Sequence, residues 1–185
     1  MKKKALLIYI FCNFLLPTQA NIKDNLILNL KKTNNLTFYF KQTISDKIEK
    51  GKCIIEYPKK IWCSYDNINK KIIVSNGKSL VINNRFNNQY YIYPLEKTPL
   101  NLILDKSFLM NKIKNLEPRN IDNKYLNFTL KENDNKINLF FDNKTLNLIG
   151  WQTEDIYQNL VITFISNVRV NEKIDKNIFK LPKKN

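Results

Sequence analysis

The 185-residue chain contains no histidine. That absence removes Ser–His and Cys–His activation of a nucleophile, along with the commonest protein ligand for transition metals. Glycine occurs only at Gly51, Gly77 and Gly150, too few to write a GxGxxG turn or a phosphate-cradling P-loop. Acidic side chains are sparse too, 16 against 31 lysines and arginines. The adjacent pair Glu154-Asp155 would point to opposite sides of a strand, and no other carboxylate pair is marked for acid–base work. No catalytic residue, metal site or cofactor is therefore expected, and the protein is not expected to be an enzyme.

Arginine is scarce, at Arg85, Arg119 and Arg169 only, so the net charge of +15 is carried by lysines scattered among asparagines and isoleucines. Nucleic-acid surfaces concentrate Arg and Lys on one element and read bases with bidentate arginine. The even spread here argues for a compositional bias and against a nucleic-acid partner. Attraction to anionic membrane headgroups stays compatible with it.

What is present begins with a leader. Lys2, Lys3 and Lys4 precede the apolar run Ala5–Leu16, broken only by Asn13, and Thr18-Gln19-Ala20 supplies small residues before a cleavage point. This is the layout of a secretory signal peptide. The run is shorter than the roughly 20 residues of a spanning helix, and Pro17 closes it. Ile8-Tyr9-Ile10-Phe11 before Cys12 lacks the small residues of a lipidation site. The reading is a signal peptide over 1–20 and a single exported, soluble domain over 21–185, with net charge +12 once the three leader lysines are gone.

Two cysteines remain, Cys53 and Cys63, flanking a hairpin with Pro58 near its centre. A turn centred on Pro58 makes them face each other and permits a disulfide in an oxidising compartment. A turn shifted by one residue places them on opposite faces. Both registers stay open at this stage.

Asn21 is a plausible cap for a helix over 21–33 with Ile22, Leu26, Ile27 and Leu30 at helical spacing. From Leu36 to Gln42 the period becomes two, as in a half-buried strand. Short strands come next: 51–57 and 61–66, 71–75 and 79–82 about Asn76-Gly77, and 89–94 after an 83–88 turn. The segment 98–105 opens with Thr98-Pro99 and suits a short helix. Strands resume at 125–131, 136–141, 145–154 and 159–170, and the tail 174–181 could add an edge pairing. About nine to eleven antiparallel strands imply a sandwich or barrel, with the two helical pieces as a plug or lid and no repeat, linker or second domain. Tyr90-Tyr91-Ile92-Tyr93 and Leu139-Phe140-Phe141 are apolar on both faces. One face of each would pack on the core, and the other would meet helices and loops of the domain or a ligand.

Three stretches together resemble the periplasmic outer-membrane lipoprotein carrier family, the LolA-like proteins. Phe38-Tyr-Phe40-Lys-Gln42, Gly51 and Tyr57-Pro58-Lys-Lys-Ile61-Trp62-Cys63-Ser-Tyr65 are similar to that family's F-x-F-x-Q…G…R-P-x-x-F-R-W-x-Y run. Ile73-Val74-Ser75-Asn76-Gly77-Lys78-Ser79-Leu80 is similar to its I-V-S-D-G-K-x-L, and leads into Tyr93-Pro94-Leu95 and Thr98-Pro99-Leu100. The third stretch joins Leu148-Ile149-Gly150-Trp151 and Asp155 to Asn167-Val168-Arg169-Val170-Asn171, Ile174-Asp175, Phe179 and Leu181-Pro182. The arginine that the family often carries before the hairpin proline, which in some members helps to hold the lid shut, is Tyr57 here.

The resemblance implies a mainly β fold, a strongly curved, incomplete antiparallel barrel with short helices covering its concave face. It also implies a periplasmic carrier, expected to be monomeric. Its partners would be the acyl chains of lipoproteins, an inner-membrane lipoprotein-releasing ABC transporter and an outer-membrane lipoprotein receptor. Strand alternation then puts Phe38, Phe40, Ile55, Trp62, Val74, Leu80, Ile82 and Tyr91 on the cavity wall, with Leu100, Ile103 and Leu104 as the lid. Each has ordinary core as its other assignment, and a one-residue register error would exchange the faces. The alternative function is an envelope sensor that binds a lipid or a protein with the same half-barrel. The pathway's receptor would carry a lipidated cysteine after the leader, where this chain has Asn21.

Overall fold

Leu26 and Leu30, one helical turn apart, are the buried residues of helix α1 (Ile22–Lys32). Asp24 in its first turn and Lys31 and Lys32 in its last match the helix dipole. The computed structural model describes residues 22–66, 70–84, 86, 89–132, 135–154 and 158–183. The leader read at 1–20 and the cap expected at Asn21 lie outside the described residues, as does part of the 83–88 turn.

After Asn34 the period-two pattern takes over. It gives β1 (Asn35–Ile44), β2 (Lys47–Glu56), β3 (Lys60–Tyr65), β4 (Lys71–Asn76), β5 (Ser79–Asn84) and β6 (Gln89–Pro94). Two short helices, α2 (Leu100–Leu104) and α3 (Lys106–Asn115), interrupt it. Then come β7 (Arg119–Ile121), β8 (Tyr125–Glu132), β9 (Asn135–Asp142), β10 (Leu148–Glu154) and β11 (Leu160–Val170). Among the described residues these eleven strands form one antiparallel sheet, in the order β6-β5-β4-β3-β2-β1-β11-β10-β9-β8-β7. The sheet is open, with β6 and β7 at its edges. The expected class, a mainly β incomplete barrel with short helices, is the class observed.

Turn chemistry sets the registers. Gly77 takes φ +98°, and the Asn76 side chain accepts the N–H groups of Lys78 and Ser79, each at 3.0 Å, which closes the β4–β5 hairpin. The β2–β3 turn contains a cis Tyr57–Pro58 peptide and Lys59 at φ 66°. That turn aligns Cys53 with Cys63, and the two are joined as a disulfide with Cα atoms 4.1 Å apart. The turn centred on Pro58 is therefore the correct one of the two registers. Thiol titration of the denatured, unreduced chain lacking residues 1–20 is expected to find no free thiol, and two after reduction. Two thiols without reductant would refute the bridge.

Three elements depart from the sequence reading. β1 and β2 run on to a tight turn at Ser45-Asp46, with Ser45 at φ 50°, although residues 43–50 are too polar to advertise a strand. Helix α3 is absent from the sequence reading; Asp105 caps it by accepting the Phe108 N–H at 3.0 Å, and Leu109 and Ile113 form its buried stripe. The tail adds no edge strand. Asn171, at φ 58°, turns the chain beside β1. A 3₁₀ turn, Lys176–Phe179, then packs against β3 and β4 with Phe179 buried.

The helices fill one end of the concave face. Leu26, Leu30, Ile103, Leu104, Leu109 and Ile113 join Leu36, Phe38, Ile55, Phe128, Leu139 and Phe141 in one buried cluster. The ring of Phe38 stands edge-on to Trp151, centroids 6.2 Å apart. The other end of the face is reached only by the start of α2, and the cavity is there.

Candidate functional site

Antiparallel partners share a face, so the registers sort the strand residues. Phe40, Gln42 and Ile44 of β1 face inward with Ile61, Cys63 and Tyr65 of β3. Ile73 of β4 pairs with Cys63 and Ile82, and Ser75 pairs with Leu80. These walls, closed by Trp151, Thr153, Val161 and Thr163 of β10 and β11, surround a mostly apolar cavity of about 300 Å³. Thr98, Pro99 and Leu100, at the start of α2, overhang it. The disulfide forms part of the wall. Phe40 and Tyr65 pack edge-on at 4.8 Å.

One end of the cavity is polar. Lys71 lies 2.6 Å from the buried Glu49 carboxylate and 3.8 Å from the centre of the Tyr65 ring. Gln42 Nε2 donates to Thr163 Oγ1 at 3.0 Å, and the Tyr65 hydroxyl donates to Gln42 Oε1 at 3.4 Å. Burial pushes the Tyr65 hydroxyl well above the ordinary phenol range, and the Glu49 charge adds to the effect, so it stays a donor at neutral pH. Desolvation lowers the Lys71 ammonium below its usual value, with the hydrogen bond to Glu49 opposing. Among the described residues, no cluster of three or more Cys, Asp or Glu side chains is placed to hold a metal ion.

The roof is fastened at both ends: ahead of α2, Leu95 N–H donates to Lys78 O at 2.8 Å. Lys59 N–H donates to Leu104 O at 2.9 Å, and its ammonium lies 3.4 Å from the Asp105 carboxylate. Lys106 Nζ reaches Thr33 O at 2.8 Å and Lys31 O at 3.3 Å, tying the helix pair to the end of α1. Tyr57, at the place of the family arginine, donates its N–H to Asn34 O at 2.9 Å. Its ring lies 5.7 Å from the Lys106 ammonium, and burial pushes its hydroxyl well above the ordinary range. The fastening to α2 is thus made by the residue after the proline.

Of the residues assigned to the wall from sequence, Phe40, Leu80 and Ile82 line the cavity, as does Leu100 of the lid. Phe38 and Ile55 face the same side but are core beneath the helices. Trp62 and Val74 are corrected to the opposite face. Ile55 pairs with Ile61, not Trp62, and Trp62 pairs with Val74. Tyr91 shares the face of Ile82, but it stands on the edge strand, 45 % exposed, beyond the cavity. Ile103 and Leu104 are likewise corrected from lid to core, at 1 % and 0 % exposure. The sequence reading missed the polar end; the F-x-F-x-Q spacing carried the signal for Gln42, in phase with Phe38 and Phe40.

The family model described as outer membrane lipoprotein carrier protein LolA matches residues 31–182. No curated protein matches the chain in sequence. Among solved structures it is similar to an uncharacterized conserved protein from Thermus thermophilus, with TM-score 0.52 and 6 % identity over 87 % of this chain and 93 % of that one. A LolA superfamily protein from Nitrosomonas europaea aligns with TM-score 0.46 and 9 % identity, over 87 % and 99 % of the two chains. The MucA/MucB complex of Pseudomonas aeruginosa contains a chain aligned with TM-score 0.49 and 10 % identity, over 88 % of this chain and 62 % of that one. With a family match spanning the strands and helices that build the cavity, this chain belongs to the outer membrane lipoprotein carrier protein LolA family.

Proposed function

We propose that the protein is a non-enzymatic periplasmic carrier, exported by cleavage of residues 1–20, that shields lipoprotein acyl chains between the inner and outer membranes. The observation that carries this reading is the apolar cavity roofed by Leu100 at the unfilled end of the concave face. Burying an acyl chain is worth about 0.8 kcal/mol per CH₂, so a chain of about sixteen carbons represents roughly 12 kcal/mol. Such a chain does not cross an aqueous gap unshielded. A carrier needs apolar area and a roof that lifts, and no reacting group.

The cavity of about 300 Å³ is at the low end for ligand pockets, which run from roughly 300 to 1,000 Å³. Loading a whole chain therefore requires the roof to move. Between its ties at Leu95 and at Leu104 and Asp105, the Thr98–Leu100 stretch over the cavity is the part that swings. Energy for extraction would come from an inner-membrane ABC transporter, and unloading would need an outer-membrane receptor.

The test is release of a labelled lipoprotein from spheroplasts with a matching transporter, on addition of the purified chain lacking residues 1–20. A soluble one-to-one complex is expected. No release by demonstrably folded protein would overturn the carrier reading and favour an envelope lipid or protein sensor.

A further inference from the structure

The outward face of the sheet, opposite the cavity, carries an ordered pattern of its own. On β2, β1 and β11 the registers align three rows of outward side chains. Thr43 lies between Ile48 and Ile162, Lys41 between Lys50 and Phe164, and Tyr39 between Lys52 and Ser166. Tyr39 is 49 %, Ile48 55 % and Phe164 59 % exposed, on a face that a free-standing soluble domain would normally make polar. The nine positions hold three lysines and no acid. Among the described residues no ion pair engages Lys41, Lys50 or Lys52. The acids bordering the patch include Asp66, at the end of β3 beside Lys50, and Asp46, in the turn next to Ile48.

From this arrangement we infer that the outward face of β2, β1 and β11 docks the protein on anionic phospholipid surfaces. Charge complementarity selects the occupant, since unpaired lysines on a chain of net charge +12 without residues 1–20 meet a surface of negative potential. The apolar side chains are interleaved with the lysines at strand spacing, so aromatic rings reach headgroup depth while ammonium groups meet phosphate. The array is three strands wide, roughly 10 Å across between its outer strands, narrow enough to meet a membrane without bending it. The cavity is on the other face and stays free to load while the protein is docked.

The experiment is flotation of the folded chain lacking residues 1–20 with lipoprotein-free vesicles, of phosphatidylcholine alone or with a fraction of phosphatidylglycerol. Binding is expected to the anionic vesicles only and to fall with salt. Each lysine near such a surface contributes a factor of roughly five, so Lys41→Glu with Lys50→Glu should lower partitioning at least about 25-fold. Phe164→Ser, which adds no charge, should lower it about fivefold by removing apolar contact. Equal binding to neutral vesicles, or unchanged binding by both variants, would overturn the proposal. Loss of lipoprotein delivery by variants whose vesicle binding is unchanged would assign the face to a protein partner and overturn it as well. Because the vesicles carry no lipoprotein, failure here leaves the carrier reading standing.

Discussion

Leu104→Asp is expected to unfold the protein, whereas Leu100→Asp, four residues earlier on the same helix, should leave it folded and unable to hold an acyl chain. Leu104 is fully buried among Leu26, Ile55, Ile103 and Leu109. Truncating a buried leucine costs about 2–5 kcal/mol, and a carboxyl group placed there without a partner adds roughly 1–3 kcal/mol even when it is neutral. The sum is comparable with a domain's whole stability of about 5–15 kcal/mol. The backbone at Leu104 also accepts the Lys59 N–H at 2.9 Å, so the fastening of the roof fails with the packing. Leu100 is partly exposed and overhangs the cavity, where a carboxylate keeps its water but spoils the apolar ceiling. Circular dichroism melts paired with binding of a fluorescent fatty acid separate the two. Leu100→Asp should shift Tm by only a few degrees and weaken binding about tenfold or more. A folded Leu104→Asp protein that had lost only binding would return Leu104 to the lid, where the sequence placed it.

That contrast marks where sequence reasoning reached and where it stopped. The β-rich architecture was legible because period-two stretches between turn residues report strands directly, and Asn76-Gly77 fixes a hairpin almost by itself. The cavity face was legible on β1, where Phe38, Phe40 and Gln42 alternate without interruption. It failed across the β2–β3 turn because placing Ile55 and Trp62 on one face implies a pairing one residue off. The register pairs Ile55 with Ile61 and turns Cys63 inward beside Cys53. The lid failed differently. Leu100, Ile103 and Leu104 are alike in type, and which of them meets the cavity depends on where α2 ends and is fastened, a tertiary matter that periodicity does not contain. Helix α3 went unread because its buried stripe is only Leu109 and Ile113, too short a pattern to stand out among its lysines and asparagines. The polar end of the cavity assembles Glu49, Tyr65 and Lys71 from three strands, a pairing that exists only once the sheet is formed.

Gly51→Ala is expected to cost more than about 3 kcal/mol, near the upper end for overpacking. On an ordinary strand that exchange removes the penalty of a flexible residue. Here an added Cβ would lie 2.1 Å from Ser64 O on the neighbouring strand, and 2.8 Å from the Phe40 ring. The first contact is with backbone, so β2 and β3 must separate to admit the methyl group. The second pushes against a cavity wall, because Phe40 lines the cavity and packs edge-on against Tyr65 at 4.8 Å. For a chain of this size each kcal/mol shifts Tm by about 2–4 °C, so a fall of about 10 °C is expected, together with weaker fatty-acid binding. Gly77→Ala serves as the comparison. It sits at φ +98° with only the Lys59 Cβ near, at 3.9 Å, and should cost about 1 kcal/mol through backbone strain, with fatty-acid binding unchanged. Equal losses of Tm in the two variants, or a Gly51→Ala protein with unaltered binding, would mean that Phe40 is not held against the cavity by the close approach of β2 and β3.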